Sequence, residues 1–241
     1  MEIQANTLHF KLLNDQLKAS SDCDIKITEC LGQRYIGSGV VGKNITIEGT
    51  PGNALGAYLT DSTITVYGNG QDATGDTMDN GEIIIHGNCG DTTGYGMRGG
   101  KIFVKGNAGY RVGIHMKEYG NHKPTIIIGG KVGDFLGEYQ AGGNLIVLGL
   151  NCKDLEIPVG DFCGTGMHGG AIYIRTSLLP NDLPDQVCAS IASEDDLLAI
   201  YPYINEFCKH FDIPKEEVLR SNFYKLTANS KNPYKQLYTH N

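Results

Sequence analysis

Two cysteine–histidine pairs are the residues best placed for chemistry. They are His86-x-x-Cys89 and Cys163-x-x-x-x-His168. Such pairs could ligate a metal, or give a thiolate nucleophile with an imidazole base. A structural zinc site shows two closely spaced ligand pairs in a recognisable pattern, and neither segment does. Nucleophilic cysteine also needs an exposed thiolate. Buried, packed thiols are the plainer expectation for both. The aspartates Asp72, Asp76, Asp91, Asp134 and Asp161 sit among turn residues. They lack the Gly-Asp nonapeptide rhythm of a calcium-binding roll, so ordinary Asx turns are expected. The expectation is therefore no catalytic residue, no metal site and no cofactor in this chain.

Glycine is the third chemical candidate, because glycine-rich loops cradle phosphates. Gly accounts for 33 of 241 residues. Gly49, Gly52 and Gly56 follow a G-x-x-G-x-x-x-G spacing. It returns as Gly87, Gly90, Gly94, as Gly106, Gly109, Gly113, and as Gly130, Gly133, Gly137. Gly68, Gln71 and Gly75 fill the slot after the first copy, with Gln71 in place of glycine. The first four copies step by 19 residues and the next by 24. A dinucleotide loop needs G-x-G-x-x-G between one strand and one long helix, and no helical pattern follows these copies. A fixed period instead marks one structural unit repeated, with the glycines as turn residues.

The elements between the glycines agree. Each copy is preceded by a short run whose first and third residues are aliphatic. The runs are Ile45–Ile47, Ile64–Val66, Ile83–Ile85, Ile102–Val104, Ile126–Ile128, Leu145–Val147 and Ile172–Ile174. Strand side chains alternate faces, so each run offers one inward pair. Short strands at a fixed period predict an all-β fold, a parallel β-solenoid of about seven rungs with terminal helical caps. A second strand per rung is expected at Ala57-Tyr58-Leu59, Thr77-Met78-Asp79, Tyr95-Gly96-Met97 and Gly166-Met167-His168. Insertions at Lys117–Lys123 and Leu150–Val159 break the period and mark loops where a partner could bind. The middle residues Ile84, Phe103, Ile127, Ile146 and Tyr173 form an apolar stripe that terminal helices or a partner must cover.

The ends read as helical. Residues 7–18 suggest an amphipathic helix with a Thr cap. Ser193-Glu194-Asp195-Asp196 opens a second helix that Pro202 should kink or divide, and Asp212-Ile213-Pro214 leads into a third. The division expected is 1–35 for the N-terminal helix and entry, 36–177 for the parallel β-helix, and 178–241 for a helical appendage carrying Phe223, Tyr224, Tyr234 and Tyr238.

Composition narrows the partners. Net charge is −7, with no basic run, so nucleic acid and anionic membranes are not expected partners. No apolar run reaches the ~20 residues of a membrane helix. The start Met1-Glu2-Ile3-Gln4 lacks a leader pattern. Seven cysteines, an odd number without a C-x-x-C pair, fit free thiols in a reducing cytoplasm. A homo-oligomer stays open.

Several strings carry a family resemblance. Gly37-Ser38-Gly39, Gly52-Asn53-Ala54-Leu55-Gly56, Gly94-Tyr95-Gly96-Met97-Arg98-Gly99-Gly100 and Gly137-Glu138-Tyr139-Gln140-Ala141-Gly142-Gly143 resemble the GXGXG domain. This is the C-terminal β-helix domain, domain 3, of the glutamate synthase large subunit, and the same domain type forms one of the subunits of formylmethanofuran dehydrogenase. The likeness runs from about Gln33 to Arg175. It implies a single-stranded, right-handed parallel β-helix, a rigid domain without catalytic residues that holds catalytic domains in register. Departures are informative. Glu2 follows Met1, where the glutaminase carries its cysteine nucleophile. No (β/α)₈ pattern for FMN and no clustered cysteines for an iron–sulfur centre occur. The resemblance therefore implies a structural subunit that docks to separately encoded glutaminase and FMN-dependent synthase subunits. The alternatives are a component of a tungsten or molybdenum formylmethanofuran dehydrogenase complex, or a self-contained β-helix enzyme. A hexapeptide acyltransferase is disfavoured, because the step here is 19 and no six-residue period appears.

Overall fold

In the computed structural model, which describes residues 1–153 and 155–229, every aliphatic run lies in a strand. The first strands are β1 (Glu2–Gln4), β2 (Asp24–Leu31), β3 (Asn44–Thr50) and β4 (Thr63–Tyr67). β5 (Glu82–Ile85), β6 (Lys101–Val104), β7 (Thr125–Ile128), β8 (Ala141–Val147) and β9 (Gly169–Arg175) follow. Each pairs in parallel with the next, in a register that repeats the sequence period: Ile45 beside Ile64, Ile64 beside Ile83, Ile83 beside Ile102. The first and third residues of all seven runs enter one core with Leu55, Met78, Met97 and Met116.

The expected β-helix is corrected here. The strands form one open, mostly parallel sheet of eleven, in the order β1 to β9, then β11 (Phe223–Ala228) and β10 (Val187–Ile191). β11 runs antiparallel to both β9 and β10. The second strand per repeat is absent at the expected positions, which are turns or irregular backbone. The physical reason is backbone sign. Tyr58, Thr77, Gly96 and Gly166 sit at φ of 55, 52, 59 and 69°, a left-handed conformation that ends an extended run. The ladder also starts two strands before the first glycine triplet, at β1 and β2.

The helices differ in detail from expectation. α1 (Phe10–Ala19) is capped by His9, whose Nδ1 accepts from Lys11 N–H at 3.3 Å, and not by Thr7. α2 (Glu194–Phe211) opens with a capping box between Ser193 and Asp196 and runs unbroken through Pro202. Pro in a helix interior costs about 3 kcal/mol. Here Ile200, Ile204, Phe207 and Phe211, on both sides of it, are anchored on the sheet. α3 (Lys215–Leu219) follows. The segment after 177 thus supplies two strands as well as two helices. Tyr234 and Tyr238 lie outside the described residues.

α2 explains a change of residue type along the sheet. The middle residues of the runs are Thr46 and Thr65 in β3 and β4, then Ile84, Phe103, Ile127, Ile146 and Tyr173. The apolar five form a second cluster with Ile200, Ile204, Phe207, Phe211, Val218 and Phe223. Lys101 ties the helix down, with Nζ 2.8 Å from Glu82 and 2.6 Å from Glu206.

Candidate functional site: the left-handed corner

The turns after each strand stack into a corner with an unusual backbone. Three alternate residues in each copy have positive φ, between 52 and 76°. The central one is Gly37, Gly56, Gly75, Gly94, Gly113, Gly137 or Gly164. Two residues earlier stand Tyr35, Ala54, Ala73, Thr92, Arg111, Phe135 and Phe162. Two residues later stand Gly39, Tyr58, Thr77, Gly96, His115, Tyr139 and Gly166.

Hydrogen bonding accounts for the alternation. The N–H of Thr92 donates forward to Tyr110 O at 2.8 Å, that of Gly94 backward to Thr74 O at 2.7 Å, and that of Gly96 forward to Ile114 O at 2.8 Å. Arg111, Gly113 and His115 repeat this with Asp134 O, Thr93 O and Glu138 O. A corner without side-chain help must still place every backbone donor, and alternating direction does so.

Space decides which position must be glycine. A Cβ on Gly56 would come within 2.6 Å of Ile83 Cδ1, and one on Gly137 within 2.7 Å of Ile172 Cδ1. The central position therefore faces the core and stays glycine in every copy. Two flanking glycines face open space, since a Cβ on Gly39 would meet nothing within 4 Å and on Gly96 nothing closer than 3.6 Å, whereas on Gly166 it would meet the Tyr139 ring at 2.5 Å. Side chains are accepted at the other flanks at a conformational cost of about 1–2 kcal/mol each.

In the later copies these flanking side chains are aromatic or charged, and the ~4.8 Å strand spacing lets them stack. His115 and Tyr139 lie 5.1 Å apart at 10°, and Phe135 and Phe162 lie 5.0 Å apart at 19°. Tyr95 meets the His115 edge at 5.9 Å. The Arg111 guanidinium sits 4.7 Å over Phe135 while its Nε donates to Glu138 at 2.9 Å. Arg98 donates to the carbonyl of His115 at 3.0 Å. Tyr95 is 41% exposed and Phe162 48%. Tyr, Phe and Arg side chains held rigidly at a surface suit a protein contact. They form no base–nucleophile pair.

The residues singled out from sequence lie elsewhere. Cys163 is buried in the main core, and burial pushes its thiol up to about 12. His168 bonds through Nδ1 to Gly166 O at 3.3 Å. Cys89 is also buried, and desolvation raises its thiol. His86 stacks on Tyr67 at 4.5 Å with the edge of Phe211 5.2 Å away. Its pKa is lowered by burial first, then by Lys105 and His210. Among the described residues no three His, Cys, Asp or Glu side chains gather as metal ligands.

The first two glycines of the Gly87 and Gly106 triplets, and the first of the Gly130 triplet, have a different job from the third. Asn69, Asn88 and Asn107 each accept the N–H of Asn88, Asn107 and Lys131 at 2.8 Å, reaching across to the next turn. Their side chains occupy the space a Cβ on Gly87, Gly106 or Gly130 would need. Asp72, Asp91 and Asp134 do likewise over Gly90, Gly109 and Gly160. These three aspartates bond between turns and not within their own, which corrects the Asx-turn reading. Sequence inspection missed the corner's outer columns. The pairs Gly37/Gly39, Gly94/Gly96 and Gly164/Gly166 carry the alternation undisguised, but substitution hides it in the other copies.

The chain is similar to known proteins. An uncharacterized protein of Methanocaldococcus jannaschii is 45% identical over 249 residues, spanning 98% of this chain and 95% of that protein. A chain in the crystal structure of the formyltransferase/hydrolase complex of Methylorubrum extorquens, in complex with methylofuran, shares the fold. Its TM-score is 0.64 at 21% identity, over 85% of this chain and 74% of that one. The GXGXG motif family model matches residues 22–232. With three left-handed residues at alternate positions of every corner and a match over most of its length, the chain belongs to the GXGXG motif family.

Proposed function

We propose that this chain is a non-catalytic scaffold subunit of a multi-subunit complex, and that the left-handed corner is its docking face for protein partners. One observation carries the reading. Tyr95, Arg111, His115, Phe135, Tyr139 and Phe162 are displayed on a backbone fixed by inter-turn hydrogen bonds, and they serve no core. Family membership and the fold shared with a chain of a formyltransferase/hydrolase complex support a life among other subunits. The resemblance to domain 3 of glutamate synthase favours separately encoded glutaminase and FMN-dependent synthase subunits as partners, in the cytoplasm. The fold likeness favours a second reading, a component of a formyltransferase- or formylmethanofuran-type complex.

Capture of the tagged chain from its own cells, with mass spectrometry of stoichiometric partners, separates the two. Glutaminase and FMN-domain proteins support the first reading, and one-carbon enzymes the second. Variants Tyr139→Ala and Phe162→Ala, which touch no core cluster, should lose the captured partner without losing thermal stability. Partner retention in both variants, or glutamine hydrolysis by the pure chain, would sink the proposal.

A further inference from the structure

The sheet ends differently at its two edges. At one edge, β1 is three residues long and carries Glu2. The chain start beside it is pinned by the Met1 ammonium, 3.0 Å from Asp22. Short, charged edges resist pairing with another chain. At the other edge lies β10, Val187-Cys188-Ala189-Ser190-Ile191, without charge, proline or bulge.

Its free groups can be assigned. Asn229 N–H donates to Gln186 O at 2.9 Å and Ala192 N–H to Phe223 O at 2.8 Å. Hydrogen-bonded residues alternate along an antiparallel pair. Gln186, Cys188, Ser190 and Ala192 therefore turn their backbone groups toward β11. Ala189 and Ile191 turn theirs outward, and Val187 uses its N–H on Pro184 O at 2.8 Å. Among the described residues nothing pairs with this outer edge. The side chains of residues 188–191 are exposed, Ile191 at 63%.

The geometry points to a second copy of this chain as the occupant, joined antiparallel through β10 about a two-fold axis at Ala189. The strand is its own complement in that register. Val187 faces Ile191, Cys188 faces Ser190, and Gln186 faces Ala192. No like charges meet, although like charges opposite are what usually block self-pairing. The outward N–H and C=O groups of Ala189 bond those of Ala189 in the partner copy. The result is one sheet continuous through both copies. The inference is independent of the scaffold reading.

A five-residue edge buries little area, so the dimer should be weak and dependent on concentration. Light scattering on the full chain should give a mass rising from 26.1 kDa toward twice that between about 1 and about 200 µM. Ala189→Pro removes an N–H that the fold itself leaves outward, so the monomer should keep its melting temperature and stay at single mass. Ala189→Lys places two ammonium groups against each other and should act alike, which covers the case of a misfolded proline variant. A single-chain mass for the full-length protein through 200 µM, including one in which residues 230–241 occupy the edge, would overturn the inference. So would a dimer that persists in either folded variant.

Discussion

The carboxylate of Asp91 lies where a side chain on Gly109 would begin, and it accepts the N–H of Tyr110 at 2.9 Å. The glycine and the aspartate are thus one device, repeated along the ladder. Gly109→Ala must displace Asp91 and meet its backbone N at 2.9 Å. Overpacking of this kind costs typically about 1–3 kcal/mol. Gly133 offers a milder case, because a Cβ there would meet the Tyr110 ring at 3.0 Å and the Gly109 backbone at 3.3 Å. Urea unfolding should rank Gly109→Ala well below Gly133→Ala in stability. Equal losses would remove the argument.

The corner makes an opposite prediction two residues away from a glycine. Thr92 is β-branched and holds φ 54°, while Gly94 beside it holds φ 72°. Thr92→Gly relieves about 1–2 kcal/mol of left-handed strain and gives back about 0.4–1 kcal/mol of unfolded-state entropy. A net gain of up to about 1 kcal/mol is expected. Gly94→Ala should destabilise, because its Cβ would run into Ile126 Cδ1. Paired melting curves test the sign of both changes, and destabilisation by Thr92→Gly would show that its side chain does more than point outward.

How much of this was legible follows from what each residue reports. The period and the aliphatic pairs report strand position and pairing, because both depend only on the ladder register. Ile45, Ile64 and Ile83 stack as their spacing demands. The expected coil with a second strand failed because Tyr58, Thr77 and His115 are ordinary residues in a conformation that composition favours only for glycine. Nothing in their type announces positive φ. The helical reading of the C-terminal segment failed at β11 for another reason. Phe223 and Leu226 face opposite sides of the strand and enter different clusters, so their spacing resembles neither a one-sided strand nor a helix face. The corner's outer column of side chains was invisible for a different reason. Arg111, Phe135 and Phe162 are 24 and 27 residues apart, and only the two unequal loops between copies bring them into one column.

α2 yields a third prediction. Phe207 is fully buried and packs among the apolar middle residues and Phe211, 4.8 Å away. Phe207→Ala should cost about 3–5 kcal/mol. It should also loosen the helix from the sheet and bare Phe103 and Ile127. Dye binding by the folded variant would report that exposure. A loss under about 1 kcal/mol without dye binding would mean that α2 is not what covers the stripe.

The N-terminus of α2 carries the acid sensitivity. Asp196 receives Lys225 Nζ on Oδ1 at 2.5 Å, and the N–H and hydroxyl of Ser193 on Oδ2 at 3.0 and 2.8 Å. The Lys225 bond, followed by those from Ser193, holds its pKa at about 2, below the ordinary 3.8. A carboxyl depressed by folding contributes stability that is complete above its unfolded value. That contribution is lost as pH falls from about 4 toward about 2. Asp196→Asn removes the charge that pairs with Lys225 and keeps one amide oxygen that can still accept from Ser193. The stability gap between wild type and this variant should therefore be largest near pH 7 and close as pH approaches 2. Urea unfolding at pH 7, 4 and 2 measures it. A gap that stays constant over that range would mean that the Asp196–Lys225 pair does not hold the start of α2 against β11.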